Sequence, residues 1–386
     1  MIRFICFSVL VFLLSGCSER VHEQTETLEN VNDILPTLSG QLPVASSALY
    51  FKDITEQQLA DSADYLAGAE NSTTGRYISD ILIDKPGQLL FNIAVPEDET
   101  IYKNLAGTNL PVAGLIFYPT SQDNIDEDTS IPLNVIKGKV VLLPKMQRSA
   151  EVKTIANATF PLVLFSHGFS ANPFYDVQFF KDLASHGLVV LALFHGDLRF
   201  QELNQAQGLR ALAFHQAIRE LSDSPWAEII DKQNVGLIGV SFGGSVAAIL
   251  AGGIMNTVLD LKIPSQLAKV KSVVGLVPAL NYGADTTWDF SSLSNSLFLV
   301  MAEKDENVLL APTLELFSKH ADTKVLIISL KDEGHFVSAE KWQIAQRLTL
   351  AKLKADLSHD TKSWQALDML RKRKHFEQLD VVMPKP

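Results

Sequence analysis

The stretch Val235-Gly236-Leu237-Ile238-Gly239-Val240-Ser241-Phe242-Gly243-Gly244 constrains this chain more than any other. A short apolar run leads into Gly-x-Ser-x-Gly, and small, helix-prone residues follow through Leu250. That order reads as a buried strand turning sharply into a helix, with one serine at the apex. Gly239 and Gly243 stand two residues either side of Ser241, where the two backbones crowd and a Cβ would clash. A glycine-rich turn of this kind also arises by chance, so the remaining chain has to supply the serine with partners.

The surroundings are those of an α/β protein. Residues 161–165, 188–194, 235–240, 273–277, 297–302 and 325–330 are apolar runs without polar alternation, the pattern of parallel strands covered on both faces. Helical stretches separate several of them: Asp176 to His186, stopped by Gly187, then Leu203 to Leu221, and finally 339–357. Strands alternating with helices predict a mostly parallel, doubly wound sheet. The main domain is expected over 110–386, opening on a strand at Val112 to Tyr118, with a further strand at Lys139 to Leu143. Residues 41–109 read as an N-terminal extension, with one strand near Leu89 to Val95 and a short helix at Gln57 to Ala67. Asp123 to Asp128 reads as a solvated acidic loop, and Arg371 to Lys374 as a solvated basic helix face.

A serine hydroxyl needs a general base, and the base needs an orienting acid. In an open parallel sheet the loops at the carboxyl ends of the strands meet at one edge. Downstream of Ser241 one histidine follows directly on a predicted strand: His335, in Lys331-Asp332-Glu333-Gly334-His335. His320, His359 and His375 are less suited by position. For the acid, Asp305 follows the strand 297–302, and the order Ser, Asp, His suits a serine elbow on such a sheet. Glu303 and Asp285 are the alternatives. An oxyanion needs two backbone N–H donors. Phe242, opening the helix, supplies one, and Phe169, in Ser166-His167-Gly168-Phe169 after an earlier strand, supplies the other. His167 is then a loop-shaping residue, not the base. Tyr175, Tyr282 and Trp288 fall in or near the loops expected to line a substrate pocket. Residues 252–267 form either a lid or an ordinary connection.

Three segments together resemble the α/β-hydrolase superfamily: Phe160 to Phe169, Asp182-Leu183-Ala184-Ser185-His186-Gly187, and Gly239 to Gly244. The nearest branch holds the platelet-activating-factor acetylhydrolases, dienelactone-hydrolase-like proteins and polyester hydrolases. The resemblance implies an α/β-hydrolase fold and a carboxylic-ester hydrolase with no metal or organic cofactor. It departs at one place. The acetylhydrolases carry their acid straight after the strand following the elbow helix, where this chain has Leu276-Val277-Pro278-Ala279-Leu280.

The N-terminus reads as a targeting segment. Arg3, an apolar core from Phe4 to Leu14 and Leu14-Ser15-Gly16-Cys17 resemble a bacterial lipoprotein signal, residues 1–16 being removed and Cys17 acylated. An ordinary secretory signal or an uncleaved anchor is the alternative. Ser18, where aspartate would imply inner-membrane retention, points to the outer membrane. Residues 17–40 carry Glu19, Glu23, Glu26, Glu29 and Asp33 and read as a flexible tether. The only cysteines are Cys6 and Cys17, so the rest has neither a disulfide nor a thiolate metal site. A formal net charge of −11 speaks against nucleic acid as a partner. Three functions compete: a lipid-anchored esterase or lipase acting on small esters or lipids, a serine peptidase or thioesterase on the same fold, and a non-catalytic envelope lipoprotein.

Overall fold

The computed structural model describes residues 29–46, 50–51, 89–129, 132–136, 139–142, 146–149, 152–197, 203–256, 267–281, 286–293, 295–320 and 322–384. The signal segment, Cys17, the helix expected at 57–67, Tyr282 and Asp285 lie outside them.

The main sheet has thirteen strands among the described residues, ten of which are β1 (Val44–Ser46), β2 (Leu89–Ala94), β3 (Asn109–Pro119), β4 (Phe160–Ser166), β5 (Val189–Phe194), β6 (Ile230–Val240), β7 (Val270–Leu276), β8 (Leu297–Ala302), β9 (Val325–Leu330) and β10 (Leu379–Val382). Six run parallel in the spatial order β5-β4-β6-β7-β8-β9. The antiparallel strands β3, beside β5, and β10, beside β9, flank this block. The connecting helices are α1 (Val177–Ser185), α2 (Leu203–Ser222), α3 (Phe242–Leu250), α4 (Leu310–Lys319), α5 (Ala339–Leu357) and α6 (Thr361–Arg373).

The unbroken apolar strands follow from burial on both faces. Leu162 and Leu164 of β4 point into one core with Leu209 and Phe214 of α2 and Val246 of α3. Their neighbours Val163 and Phe165 point into the other, with Phe179 and Phe180 of α1 and Leu348 of α5. The period-2 geometry of a strand thus serves two helix layers from one sequence run. Gly187 stops α1 at φ 89°, a backbone conformation that costs glycine least.

One expectation about the N-terminal part is corrected. Residues 29–40, expected within a tether, pack on the domain. Val31 and Leu35 are buried beside α5 and α6. Arg347 donates to the carbonyls of Asn32, Leu35 and Pro36 at 2.8, 2.6 and 2.8 Å. The polar composition hid this because the contact uses backbone oxygens. Two described strands of the expected N-terminal extension, residues 41–109, pair with the main domain. β2 lies antiparallel along residues 109–114 of β3, and β1 along residues 117–119, so both complete the main sheet. Within the expected acidic loop, Ile125–Thr129 is a strand paired with Met146–Ser149. Lys139–Leu142 forms a strand, in a hairpin with Pro132–Ile136. Among the described residues no helix is long and apolar enough to cross a membrane.

Candidate active site

The chain leaves β4 to one side for β5 and returns to the other side for β6. This reversal opens a crevice beyond the carboxyl ends of β4 and β6, where open α/β sheets bind ligands. Ser241 follows directly on β6 and residues 167–170 follow β4, so both meet at that crevice.

Ser241 holds φ 49° and ψ −116°, a strained conformation for a non-glycine residue. Its backbone is fixed from two sides. Its amide donates to Leu276 O at 2.8 Å, and its carbonyl accepts from Gly244 and Ala279, each at 2.8 Å. The flanking glycines are required by space: a Cβ on Gly239 would sit 2.1 Å from Gly243 O, and one on Gly243 would sit 2.0 Å from Ser166 O.

The structure brings three of the expected side chains into one chain of hydrogen bonds. Ser241 Oγ lies 3.0 Å from His335 Nε2, and His335 Nδ1 lies 2.8 Å from Asp305 Oδ2. Asp305 is buried, and its other oxygen accepts from the amides of Asn307 and Val308 at 2.8 Å each. With a carboxylate accepting from Nδ1–H, the Nε2 lone pair faces the serine hydroxyl. Glu303 instead accepts from the Asp332 amide at 2.9 Å, which ties the loops after β8 and β9 together.

Phe169 and Phe242 line the same cavity, with their rings edge to face at 5.4 Å. A Cβ on Gly168 would reach 3.7 Å from Ser241 Cβ, so the 168–169 backbone passes close to the serine. Phe242 opens α3, where an amide has no acceptor within the helix.

A buried charge network missed in the sequence holds this loop. Arg210 of α2 pairs with Asp197 through two hydrogen bonds of 2.8 and 2.5 Å, both side chains fully buried. The same guanidinium donates to Ser166 Oγ at 3.1 Å, His167 O at 2.5 Å and Gly168 O at 3.2 Å. Asp197 also accepts from the Ser170 amide at 2.9 Å. Burial pushes the Asp197 carboxyl up, but the charge and hydrogen bonds of Arg210 outweigh it and leave it lowered. His167 accepts from the His195 amide at 3.3 Å and donates from Nδ1 to Gly168 O at 2.7 Å. Burial, with the nearby Arg210 charge, lowers its pKa to about 4. His167 is therefore a neutral brace, the loop-shaping part expected for it. Both missed charges left a trace: Arg210 interrupts a run of small and apolar residues, and Asp197 lies three residues past the end of β5.

The cavity measures about 610 Å³, and Tyr175 forms part of its wall. Trp288 does not. It is buried, stacks on Phe290 at 5.2 Å and donates to Leu280 O at 2.6 Å, so it is core packing and not a substrate contact. Phe336, Asp176 and Trp342 also line the cavity and were not anticipated. Among the described residues no group of three His, Cys, Asp or Glu side chains is placed to hold a metal ion.

The sheet order, the crossings and the serine at the strand-to-helix turn decide the architecture. The chain has an α/β-hydrolase fold. The sequence model of the family described as platelet-activating factor acetylhydrolase, isoform II, matches residues 116–201. That stretch runs from β3 past β5 and holds the 166–170 loop and Asp197, and it ends before Ser241. The match supports a hydrolase of the lipase or esterase type. No curated protein matches the chain significantly.

Proposed function

We propose that the protein is a serine carboxylic-ester hydrolase with Ser241, His335 and Asp305 as its catalytic residues. The observation that carries this reading is the unbroken path from the Ser241 hydroxyl through His335 to buried Asp305, opening on a cavity. His335 Nε2 takes the serine proton as Oγ attacks the ester carbonyl. Asp305 holds the Nδ1–H tautomer and stabilises the imidazolium. The amides of Phe169 and Phe242 receive the oxyanion. Proton return from His335 to the alcohol oxygen releases the alcohol and leaves an acyl-Ser241. Water, activated by the same imidazole, then frees the acid.

The rim supports an apolar substrate. Phe169, Tyr175, Leu309 and Phe336 are exposed large hydrophobic side chains on the loops around Ser241, and three of them line the cavity. The test is a panel of aryl esters of rising chain length with matched thioesters and peptides, with Ser241→Ala as control. Ester turnover that is lost in the variant supports the reading. Peptide or thioester turnover well above ester turnover would replace it with the corresponding hydrolase. A folded protein inert on the whole panel would favour a non-catalytic lipoprotein.

The reading includes a lipid anchor at Cys17 in the bacterial cell envelope, on the outer membrane. Its support is the Leu14-Ser15-Gly16-Cys17 motif. Residues 18–28 would let the packed part stand at most about 40 Å from the anchor. Cys17→Ser should abolish incorporation of labelled fatty acid and release the protein from the membrane fraction. Unchanged fractionation without label would sink the anchor.

A further inference from the structure

The basic run expected as a solvated helix face is split between two roles. Arg371, Lys372 and Arg373 close α6, and Lys374 stands at its C-cap. Cations in a last helix turn ordinarily complement the helix dipole. Two of these four are also neutralised: Lys372 pairs with Asp368 at 2.6 Å, and Arg373 pairs with Glu29. Arg371 and Lys374 have no carboxylate partner among the described residues. Both instead line a cavity of about 550 Å³ at the β10 edge of the sheet. Lys324, in the loop before β9, lines the same cavity and also lacks a carboxylate partner among the described residues. A helix dipole accounts for residues of α6 and not for Lys324. Asp322 is the one carboxylate in the lining, so three cations there outweigh it. Exposed Met383 adds an apolar side chain.

The described residues begin at this same corner. The Glu29 carboxylate holds Arg373, and the Glu29 carbonyl accepts from the Glu377 amide at 3.2 Å. Cys17 and residues 18–28 are therefore joined to the domain beside the basic run. With a reach of at most about 40 Å, that connection keeps this corner close to any bilayer holding the anchor. The chain as a whole carries a formal net charge of −11, so an anionic membrane repels it except where a face is locally basic. We infer that Arg371, Lys374 and Lys324 form a docking surface for the phosphate groups of anionic lipids in the anchoring membrane. The surface rests on the reading of Cys17 as an anchor and adds which face of the domain meets the bilayer. Guanidinium and ammonium groups together donate to a lipid phosphate. A lipid chain and a basic patch hold a protein more firmly than the chain alone. The docking surface shares no residue with the Ser241 cavity. Lys324 precedes β9 and Ser241 follows β6, at opposite ends of parallel strands, so docking orients the enzyme without occupying the crevice.

The test uses the protein expressed from the full chain and incorporated into phosphatidylcholine vesicles, with or without phosphatidylglycerol. Each vesicle also holds a phospholipid with a photo-cross-linker on its headgroup. Flotation after a high-salt wash reads the anchor, and mapping of the cross-linked peptides reads the docked face. Each cation close to an anionic surface contributes about fivefold. Cross-links in phosphatidylglycerol vesicles should therefore concentrate on 322–326, 371–374 and Met383, about tenfold or more above phosphatidylcholine vesicles. They should fall by a similar factor in Arg371→Glu with Lys374→Glu and survive in Arg371→Lys with Lys374→Arg, while flotation is unchanged in both. These side chains are exposed, so the variants keep the core intact. Cross-links spread evenly over the surface, an equal yield in the two kinds of vesicle, or the same pattern after charge reversal overturns the docking surface. Protection by inorganic phosphate at an ionic strength where chloride has no effect would replace the lipid with a soluble anion. If the protein does not float, the anchor reading is what fails. Binding of the unanchored protein to phosphatidylglycerol vesicles at low salt, lost on charge reversal, would then still support the docking surface, and equal binding by both proteins would reject it.

Discussion

Ser241 stays at a positive φ because neighbouring backbone leaves it nowhere else to go. Gly243 packs against Ser166 O so closely that an added methyl cannot be accommodated without moving β4 or α3. Overpacking a core costs roughly 1–3 kcal/mol. Gly243→Ala should reach or exceed the upper end of that range in chemical denaturation, and a loss below about 0.5 kcal/mol would contradict the close approach. At this scale the juxtaposition of Ser241, His335 and Asp305 was largely readable. Ser241, Asp305 and His335 follow strand ends, and a strand end is a feature that local sequence displays. Trp288 was misplaced because an aromatic residue in a loop looks the same whether it faces a ligand or stacks on Phe290. Asp176 was invisible because its lack of a capping bond at the start of α1 is a matter of side-chain direction.

The loop after β4 is held as an element by Arg210 and Asp197, and this element-level design makes a separable prediction. Removing one partner of a buried ion pair strands the other charge and typically costs about 3–5 kcal/mol. Arg210→Met should show that loss. The pair Arg210→Met with Asp197→Leu should recover much of the stability, since an apolar pair avoids the stranded charge. Turnover should not recover, because His167 O, Gly168 O and the Ser170 amide have lost their anchors and the Phe169 amide, the proposed oxyanion donor, is no longer held by them. Losing one oxyanion donor costs about 10²–10³ in rate. Full activity in the double variant would show that the network is dispensable scaffolding. This network was not readable because the search for charged partners ran downstream of Ser241, whereas Asp197 and Arg210 lie upstream and act on the loop, not on the serine.

Across the whole molecule, segments far apart in sequence close the fold. The strands were readable because their burial is written in local apolar runs. The packing of residues 29–40 on α5 was not, because it rests on Arg347 meeting main-chain oxygens. A chain starting at Gln41 should be less stable than one starting at Glu29 by about 3 kcal/mol or more, through lost charged hydrogen bonds and re-exposed Val31 and Leu35. Equal stability would restore the tether reading. The pH response has two opposing parts. His167, with a folded pKa of about 4 against 6.5, contributes stability that is present above pH 6.5 and lost as pH falls toward 4, by about 3 kcal/mol in total. Asp176, raised to about 7 from 3.8, contributes stability that is present below pH 3.8 and lost as pH rises through 7. Asp176→Asn should therefore gain stability relative to the wild type as pH rises from 4 to 7, and a flat difference would contradict the raised pKa. The central claim is that β6, β8 and β9, from three parts of the chain, assemble one reactive serine. The most direct measurement is labelling of the folded protein with a fluorophosphonate, followed by mapping of the modified peptide. The account predicts one phosphonylated residue, Ser241, with labelling slowed at least about 10²-fold in His335→Ala. An unlabelled Ser241 in folded protein, or equal labelling in His335→Ala, would contradict it.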